Sequence, residues 1–340
     1  MKIVFWLNSF SPHLAGMIST LSLNHNIVVI TPSSLPARRR KMGWTPPDFG
    51  EATVLHYENI DDFSTLYGFA SIHIFSGLFT YKNTKRHFYK IYQDESKRIF
   101  TMMELPSLSG LKGALRYIKY KLLVSRFKGI SGYISFGSKK FLERLGVSSN
   151  KILDFLYLSD FTPATSLNKE KEIVFIGQID KNKNVLSLVE SFIRSNTNGY
   201  SLKIIGNVVD EEILNEINST KHLADIEIIG SVKSKHIPNY LASAELLVLP
   251  SYHDGWGVVV NEALLSSCKV VLSSSCGSNG YFSSLNSVFS FNPFHQGDLD
   301  NVLSLALDYK LMDIDFEKAN KMIDKDSMCG KLVEFLRYRK

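Results

Sequence analysis

The feature that most constrains this chain is an alternation, run through twice, of short apolar stretches with amphipathic ones. In the N-terminal half "KIVFWL" (2–7), "NIVVIT" (26–31), "SIHIFS" (71–76), "RIFTMM" (98–103) and "GYISFG" (132–137) read as strands. Between them lie helical patterns such as "SPHLAGMISTLSL" (11–23), with Pro12 at its start and Leu14, Met17, Ile18 and Leu21 on one face. Near-continuous apolar strands separated by helices predict a parallel sheet covered on both sides. "SDFTPATSLNKEKE" (159–172) is polar, holds Pro163 and lacks apolar periodicity, so it reads as a linker. The alternation then restarts in "EIVFIG" (172–177), "SLKIIG" (201–206), "IEIIGS" (226–231), "ELLVLP" (245–250) and "KVVLSS" (269–274). We therefore expect a domain over 1–160, a second over 171–310, and a helical segment over 311–340 that is a candidate to pack back on the first domain.

The 340-residue length suits two domains, and 44% apolar residues can build two cores. No apolar run approaches the ~18 residues of a membrane-spanning helix. "MKIVFWLNSF" turns polar at Asn8 and reads as a first strand, not a signal peptide. Cys268, Cys276 and Cys329 are odd in number and lack CxxC spacing, which fits a reducing compartment and a cytoplasmic protein. Residues 1–165 hold 21 Lys+Arg against 11 Asp+Glu, a net +10; the remainder holds 18 against 22, a net −4. Such asymmetry points to different partners for the two halves, the basic one facing an anionic lipid, ligand or nucleic acid.

"SYHDGWGVVVNEAL" (251–264) runs from a glycine-broken polar loop into an apolar helix starting near Gly257. The first N–H groups of a helix lack internal partners and carry partial positive charge, and Gly255 and Gly257 would let a phosphate or sugar oxygen approach. Asp254 stands before the helix, where its carboxylate accepts from ligand hydroxyls or simply caps the helix. Glu262 falls in the second turn, inside an apolar run, where a carboxylate needs a partner such as a ribose diol unless it faces solvent beside Asn261.

This stretch resembles the signature of the retaining glycosyltransferases of family 4: an acid, Gly, an aromatic residue, Gly, four variable residues and Glu-Ala. The resemblance implies a GT-B fold, an α/β arrangement of two Rossmann-like domains facing a deep interdomain cleft. It further implies that Asp254 touches the donor sugar, that Gly257 and Val258 offer backbone N–H groups in a donor site that Gly255 and Trp256 also line, and that Glu262 holds the ribose. The family's first acid is usually Glu; Asp254 is one methylene shorter. "FIGQIDKNKNVLSLVESF" (175–192) resembles the first strand–loop–helix of the family's donor domain. Gly177 and Lys183 match that pattern, whereas Gln178 stands where Arg is usual and Asn184 where Gly is usual. There Arg and Lys grip the donor diphosphate, since cations offset charge on the leaving group; Gln178 brings a donor but no charge. Gly206, closing the next strand, joins the donor-site candidates. "NYLASAELLVLPS" (239–251) and "SSSCGSNGYF" (273–282) fit the family's segments on either side of the signature.

In the N-terminal half "FWLNSFSPHLAG" (5–16) resembles the first strand and loop of polysaccharide-assembly members, making Ser11, His13 and Gly16 candidates near acceptor or donor phosphates. Glu104, in "MMELPSLSGLKG" (102–113), ends a strand and is a candidate catalytic or acceptor-orienting group beside Asp254 and Lys183. Residues 111–128 combine an apolar face with Lys112, Arg116, Lys119, Lys121, Arg126 and Lys128. They read either as an ordinary surface helix or as one that docks on anionic membrane to reach a lipid-linked acceptor, and "ARRRK" (37–41) adds charge.

The implied activity is retaining transfer of a hexosyl unit from a nucleotide-sugar co-substrate to a saccharide acceptor, in capsule, O-antigen or exopolysaccharide assembly. A nucleotide-sugar epimerase or hydrolase, or a degenerate sugar-nucleotide-binding protein, are the rival readings. No GxGxxG opens a nicotinamide site, and only charge speaks for nucleic acid, so neither is expected. "DLD" (298–300) and "DID" (313–315) match an acid-x-acid motif only by letter and read as surface, so no metal is assigned.

Overall fold

The structure is a computed structural model that describes residues 1–41, 44–77, 82–164, 169–195, 197 and 199–338; residues 165–168 of the linker therefore lie outside the described residues. Thirteen strands occur among the described residues. The first seven are β1 (Lys2–Trp6), β2 (Asn26–Thr31), β3 (Thr53–His56), β4 (Ile72–Ser76), β5 (Arg98–Glu104), β6 (Gly132–Phe136) and β7 (Ile152–Phe155). The next six are β8 (Glu170–Ile176), β9 (Ser201–Ile205), β10 (Ile226–Gly230), β11 (Ala244–Leu249), β12 (Lys269–Ser273) and β13 (Val288–Phe291).

They form two sheets, β3-β2-β1-β4-β5-β6-β7 and β10-β9-β8-β11-β12-β13. Every pairing is parallel. Parallel neighbours need crossovers, here built with helices, so the central strands are covered on both faces and carry few polar residues. Thus Ile3–Trp6 in β1 and Leu246–Leu249 in β11 are all buried. Three edge or near-edge strands, β3, β7 and β13, were not expected from the sequence; each has only four residues with interrupted burial.

The chain divides into two compact units: Met1–Pro36 with Thr45–Asp160 and Asp324–Lys340, and Ala37–Trp44 with Phe161–Ile323. The segment expected as one helical tail from 311 is split. Helix Asp313–Ile323 stays with the second unit, and helix Lys325–Tyr338 belongs to the first. Asp315 explains the first assignment: its carboxylate accepts from Asn286, Tyr309 and the Met312 N–H. It is buried, at 1% exposure, which corrects its reading as a surface acid. The last helix packs on the first sheet through Phe335 against Phe100, with ring centroids 5.7 Å apart. Arg98 also donates to the Leu336 carbonyl at its end.

Within the first unit Trp6 is buried among Phe63, Tyr67, Phe75, His73 and His87. Its indole donates to His73 Nδ1 at 3.2 Å. Burial pulls both histidines down to about 4, so they are neutral members of an aromatic core. In the second unit the core gathers Phe175, Leu188, Phe192, Leu246, Val248, Val271 and Leu303.

Gly206 closes β9 with φ of +153°, and a Cβ there would lie 1.6 Å from the Gly177 carbonyl oxygen. No side chain escapes that contact, because both partners are backbone. Gly206→Ala is expected to cost upward of about 4 kcal/mol in urea unfolding. Gly280→Ala, where a Cβ meets nothing within 4 Å, serves as the control and is expected to shift stability by less than about 1 kcal/mol.

Candidate functional site

Each sheet reverses its crossover direction once, between β1 and β4 in the first and between β8 and β11 in the second. At such a point the flanking helices leave toward opposite faces, and the carboxyl ends of the two strands are left open for ligand. In the second unit the loops after β8 and β11 carry Gln178, Lys183, Asp254 and Gly255.

Those loops are laced together. The Tyr252 N–H donates to the Asn182 carbonyl at 2.8 Å, and the Asn182 side chain donates back to the His253 carbonyl at 2.9 Å. Asp180 accepts the Lys183 N–H at 2.8 Å. The loop after β12 joins in: the Gly277 N–H donates to the Asp254 carbonyl and the Ser278 N–H to the Trp256 carbonyl, each at 3.0 Å. This lacing sets Lys183 Nζ against Asp254 Oδ2 in an ion pair across 71 positions. The pair is largely buried, with side-chain exposures of 20% and 17%. Burial by itself would raise the Asp254 carboxyl, but the Lys183 cation, its hydrogen bond and the Trp256 N–H outweigh it and hold the group below its ordinary value. Burial likewise opposes the Lys183 charge, and Asp254 overrides it, so the ammonium is held above its ordinary value. The Cys276 thiol is buried beside the pair and pushed up, first by burial and then by the Asp254 charge.

Asn184 begins helix Val185–Arg194 with φ of 54° and ψ of 33°. That left-handed conformation explains why glycine is usual there; Asn is among the few residues that tolerate it. Its amide also donates to the Pro250 carbonyl at 3.2 Å and its oxygen accepts from Ser187 at 2.6 Å. Gln178 is buried beneath the loop, at 7% exposure.

The helix after β11 runs Val259–Leu265, later than expected, because Gly257 sits at φ of +82° and Val258 caps it. Glu262 therefore lies in the first turn, not the second. Asp254 does not cap this helix; its Oδ1 accepts the Trp256 N–H at 3.1 Å. Trp256 itself is core, at 1% exposure, with its indole donating to Asn261 at 2.9 Å. Gly257 and Val258 remain in the loop wall, and among the described residues no protein acceptor is recorded for their N–H groups.

Glu262 is half-buried and, among the described residues, its carboxylate has no hydrogen-bond or ionic partner. Burial alone pushes it up to about 7. Two buried hydroxyls beside the same loops, Ser251 and Ser278, also have no partner among the described residues. Sequence reasoning passed over both serines, since an isolated hydroxyl carries no pattern.

In the first unit Ser11, His13 and Gly16 follow β1, and Glu104 ends β5. Glu104 accepts a hydrogen bond from the Tyr157 hydroxyl, and the His13 ring tilts against Tyr157 at 5.7 Å. The carboxyl ends of β1, β5 and β7 thus bring His13, Glu104 and Tyr157 into one cluster. Tyr157, which stacks on Phe136 at 4.0 Å, was missed from the sequence. Gly16 is buried under Leu158 and Ser159, whose carbonyls would lie 2.6 and 2.7 Å from a Cβ, so it seats its helix on the backbone.

The model of the family described as glycosyl transferases group 1 matches residues 160–325. No curated protein sequence matches the chain. Among solved structures the chain is similar to HepE of Anabaena in complex with UDP and glucose, with a TM-score of 0.70 at 13% identity over 99% of each chain. It is similar to sucrose-phosphate synthase from Thermosynechococcus elongatus, with a TM-score of 0.71 at 12% identity over 99% of this chain and 98% of the other. It is also similar to the lipopolysaccharide outer core galactosyltransferase WaaB in its apo form, with a TM-score of 0.63 at 14% identity over 99% of each chain. The fold is GT-B. Fold and family match together support a GT-B glycosyltransferase, and the matched segment contains the second-unit residues described above.

Lys183→Met leaves Asp254 buried and unpaired, and is expected to cost roughly 2–4 kcal/mol, most of it recovered in the Lys183→Met/Asp254→Asn double variant, as read by chemical unfolding. Glu262 gives a second expectation. Its carboxyl is raised above its ordinary 4.5 when folded, so the folded state binds more protons in between. Stability should therefore fall as pH rises from about 4.5 to about 7. Thermal melts of Glu262→Gln against the parent should diverge across that window, with the variant the more stable above it.

Proposed function

We propose that the protein is a retaining glycosyltransferase that moves a hexosyl unit from a nucleotide-sugar to a saccharide acceptor, with Asp254, Lys183, Gly257, Val258 and Glu262 forming the donor site. The observation that carries this reading is the Glu262 carboxylate, half-buried and, among the described residues, unpartnered in the first turn of helix Val259–Leu265, the helix that follows the Asp254 loop. An ionisable group kept there lowers stability, and a ligand with paired hydroxyls, such as ribose, would repay the cost. Lys183 is the cation for the diphosphate. With no donor present its charge is neutralised by Asp254; a diphosphate offers more negative charge and would draw the ammonium away, leaving the Asp254 carboxylate to accept from sugar hydroxyls. Gln178 stands in the same loop as a neutral donor, so Lys183 carries the side-chain charge at this end of the site. The unbonded N–H groups of Gly257 and Val258 would add dipoles.

In this reading the departing diphosphate serves as the base for the incoming hydroxyl on the same face of the sugar, so the anomeric configuration is kept. His13, Glu104 and Tyr157 of the first unit are the acceptor-side candidates, with Tyr157 positioning the Glu104 carboxylate. HepE was solved with UDP and glucose, and WaaB is a lipopolysaccharide galactosyltransferase. These relatives favour a uridine donor and a lipid-linked saccharide acceptor, in capsule, O-antigen or exopolysaccharide assembly, and with it a protein working at the cytoplasmic face of the cell membrane.

A panel of nucleotide-sugars, scored by thermal stabilisation, should select one donor. With that donor Glu262→Ala is expected to lose a hundredfold or more in turnover while keeping its fold, as a transition-state contact of about 3 kcal/mol would predict. Donor affinity should rise with pH through about 7, as Glu262 ionises, and this dependence should flatten in Glu262→Gln. Near-parental turnover in Glu262→Ala, or loss of sugar equally with and without acceptor, would overturn the transferase reading.

A further inference from the structure

We propose that helix Gly110–Arg126 of the first unit is a docking surface for an anionic lipid bilayer. The proposal does not rest on the transferase reading. Leu111, Leu115, Ile118 and Leu122 are exposed by 86, 67, 54 and 64%. At 3.6 residues per turn they fall within an arc of about 60°. Leu108, just before the helix, is 37% exposed as well. The opposite arc is spoken for. Gly113 and Val124 are buried, and Tyr117, Tyr120 and Leu123 pack on the core of the first unit. The helix is thus apolar on two sides, and only one of them faces protein. Soluble proteins seldom leave a row of large aliphatic side chains uncovered.

The charge beside the stripe selects the occupant. Lys112, Lys119 and Arg126 lie on one shoulder and Lys121 on the other, all exposed. Arg116 is turned aside, donating to the Ser107 carbonyl. No Asp or Glu occurs from 105 to 142, so the helix carries no acidic residue of its own. The neighbouring helix Lys82–Tyr92 adds exposed Lys85 and Lys90 and is joined to the C-terminal end by its Tyr89 and Tyr92 rings, 5.6 and 5.1 Å from that of Phe127. An apolar ridge shouldered by cations matches the interface of a bilayer carrying anionic headgroups. The aliphatic tips enter the acyl boundary and the long basic side chains reach back to the phosphates. Among the described residues no helix is long and apolar enough to cross a membrane, so the geometry is that of a helix lying on the surface.

The test is flotation of the full chain with vesicles of mixed phosphatidylglycerol and phosphatidylcholine, against pure phosphatidylcholine, at low salt. The chain should float with the anionic vesicles, stay behind with the neutral ones, and be released by salt. Leu115→Ser/Ile118→Ser should cut the bound fraction about tenfold or more, and Lys112→Gln/Lys119→Gln/Lys121→Gln should lose about fivefold per lysine. Both variants should keep the parental melting temperature, because the altered side chains are exposed. Failure of the parent to float, or equal flotation of the serine variant, would overturn the proposal. So would a parental dimer that the serine variant dissociates in gel filtration, since the stripe would then belong to a second copy.

Discussion

The second unit is organised by one topological fact: the chain passes from β8 outward to β9 and β10, then returns to place β11 on the other side of β8. The two adjacent strands send their next helices to opposite faces, and the loops at their carboxyl ends are left side by side. Lys183 and Asp254 meet only because of this. The hydrogen bonds among residues 180–184, 252–256 and 275–278 follow from the same adjacency, because loops leaving neighbouring parallel strands can satisfy one another's backbone groups. The ion pair therefore sits on loops that are themselves held, which makes its geometry a property of the sheet.

Central strands were plainly legible in the sequence, because burial on both faces demands unbroken apolar runs, as in "NIVVIT" and "ELLVLP". Edge strands escaped for the same reason: β3 is only half-covered, and β7 carries Asp154 toward Ser135, so neither makes such a run. Lys183, Asp254 and Glu262 were legible as candidates through the resemblance of their two segments to a family pattern. Their mutual distances were not, since they depend on which strands become neighbours. The late start of the helix at Val259 was hidden in a single backbone dihedral at Gly257. Asp315 looked like a surface acid because its three donors come from elsewhere in the chain or from its own turn.

Two carboxylates of the same loop–helix junction are treated in opposite ways. Asp254 is matched by a cation and a backbone N–H and stays ionised; Glu262 has only burial acting on it and is lifted toward neutrality. The difference is one of partners, since desolvation pushes both upward. Only a group left without a protein partner is free to respond to a newcomer, whereas a matched one must first exchange.

The return of helix Lys325–Tyr338 to the first unit has a bearing on how such chains recombine. Neither unit is a continuous stretch of polypeptide, and the first takes its closing helix from the far end of the chain. A graft exchanging the second unit between two chains of this build would have to be cut near 160 and near 323, leaving the terminal helix with its original host, and would have to carry the short segment Ala37–Trp44 across as well. A single crossover would instead set a foreign helix against Met17, Arg98 and Phe100, the residues that meet it here.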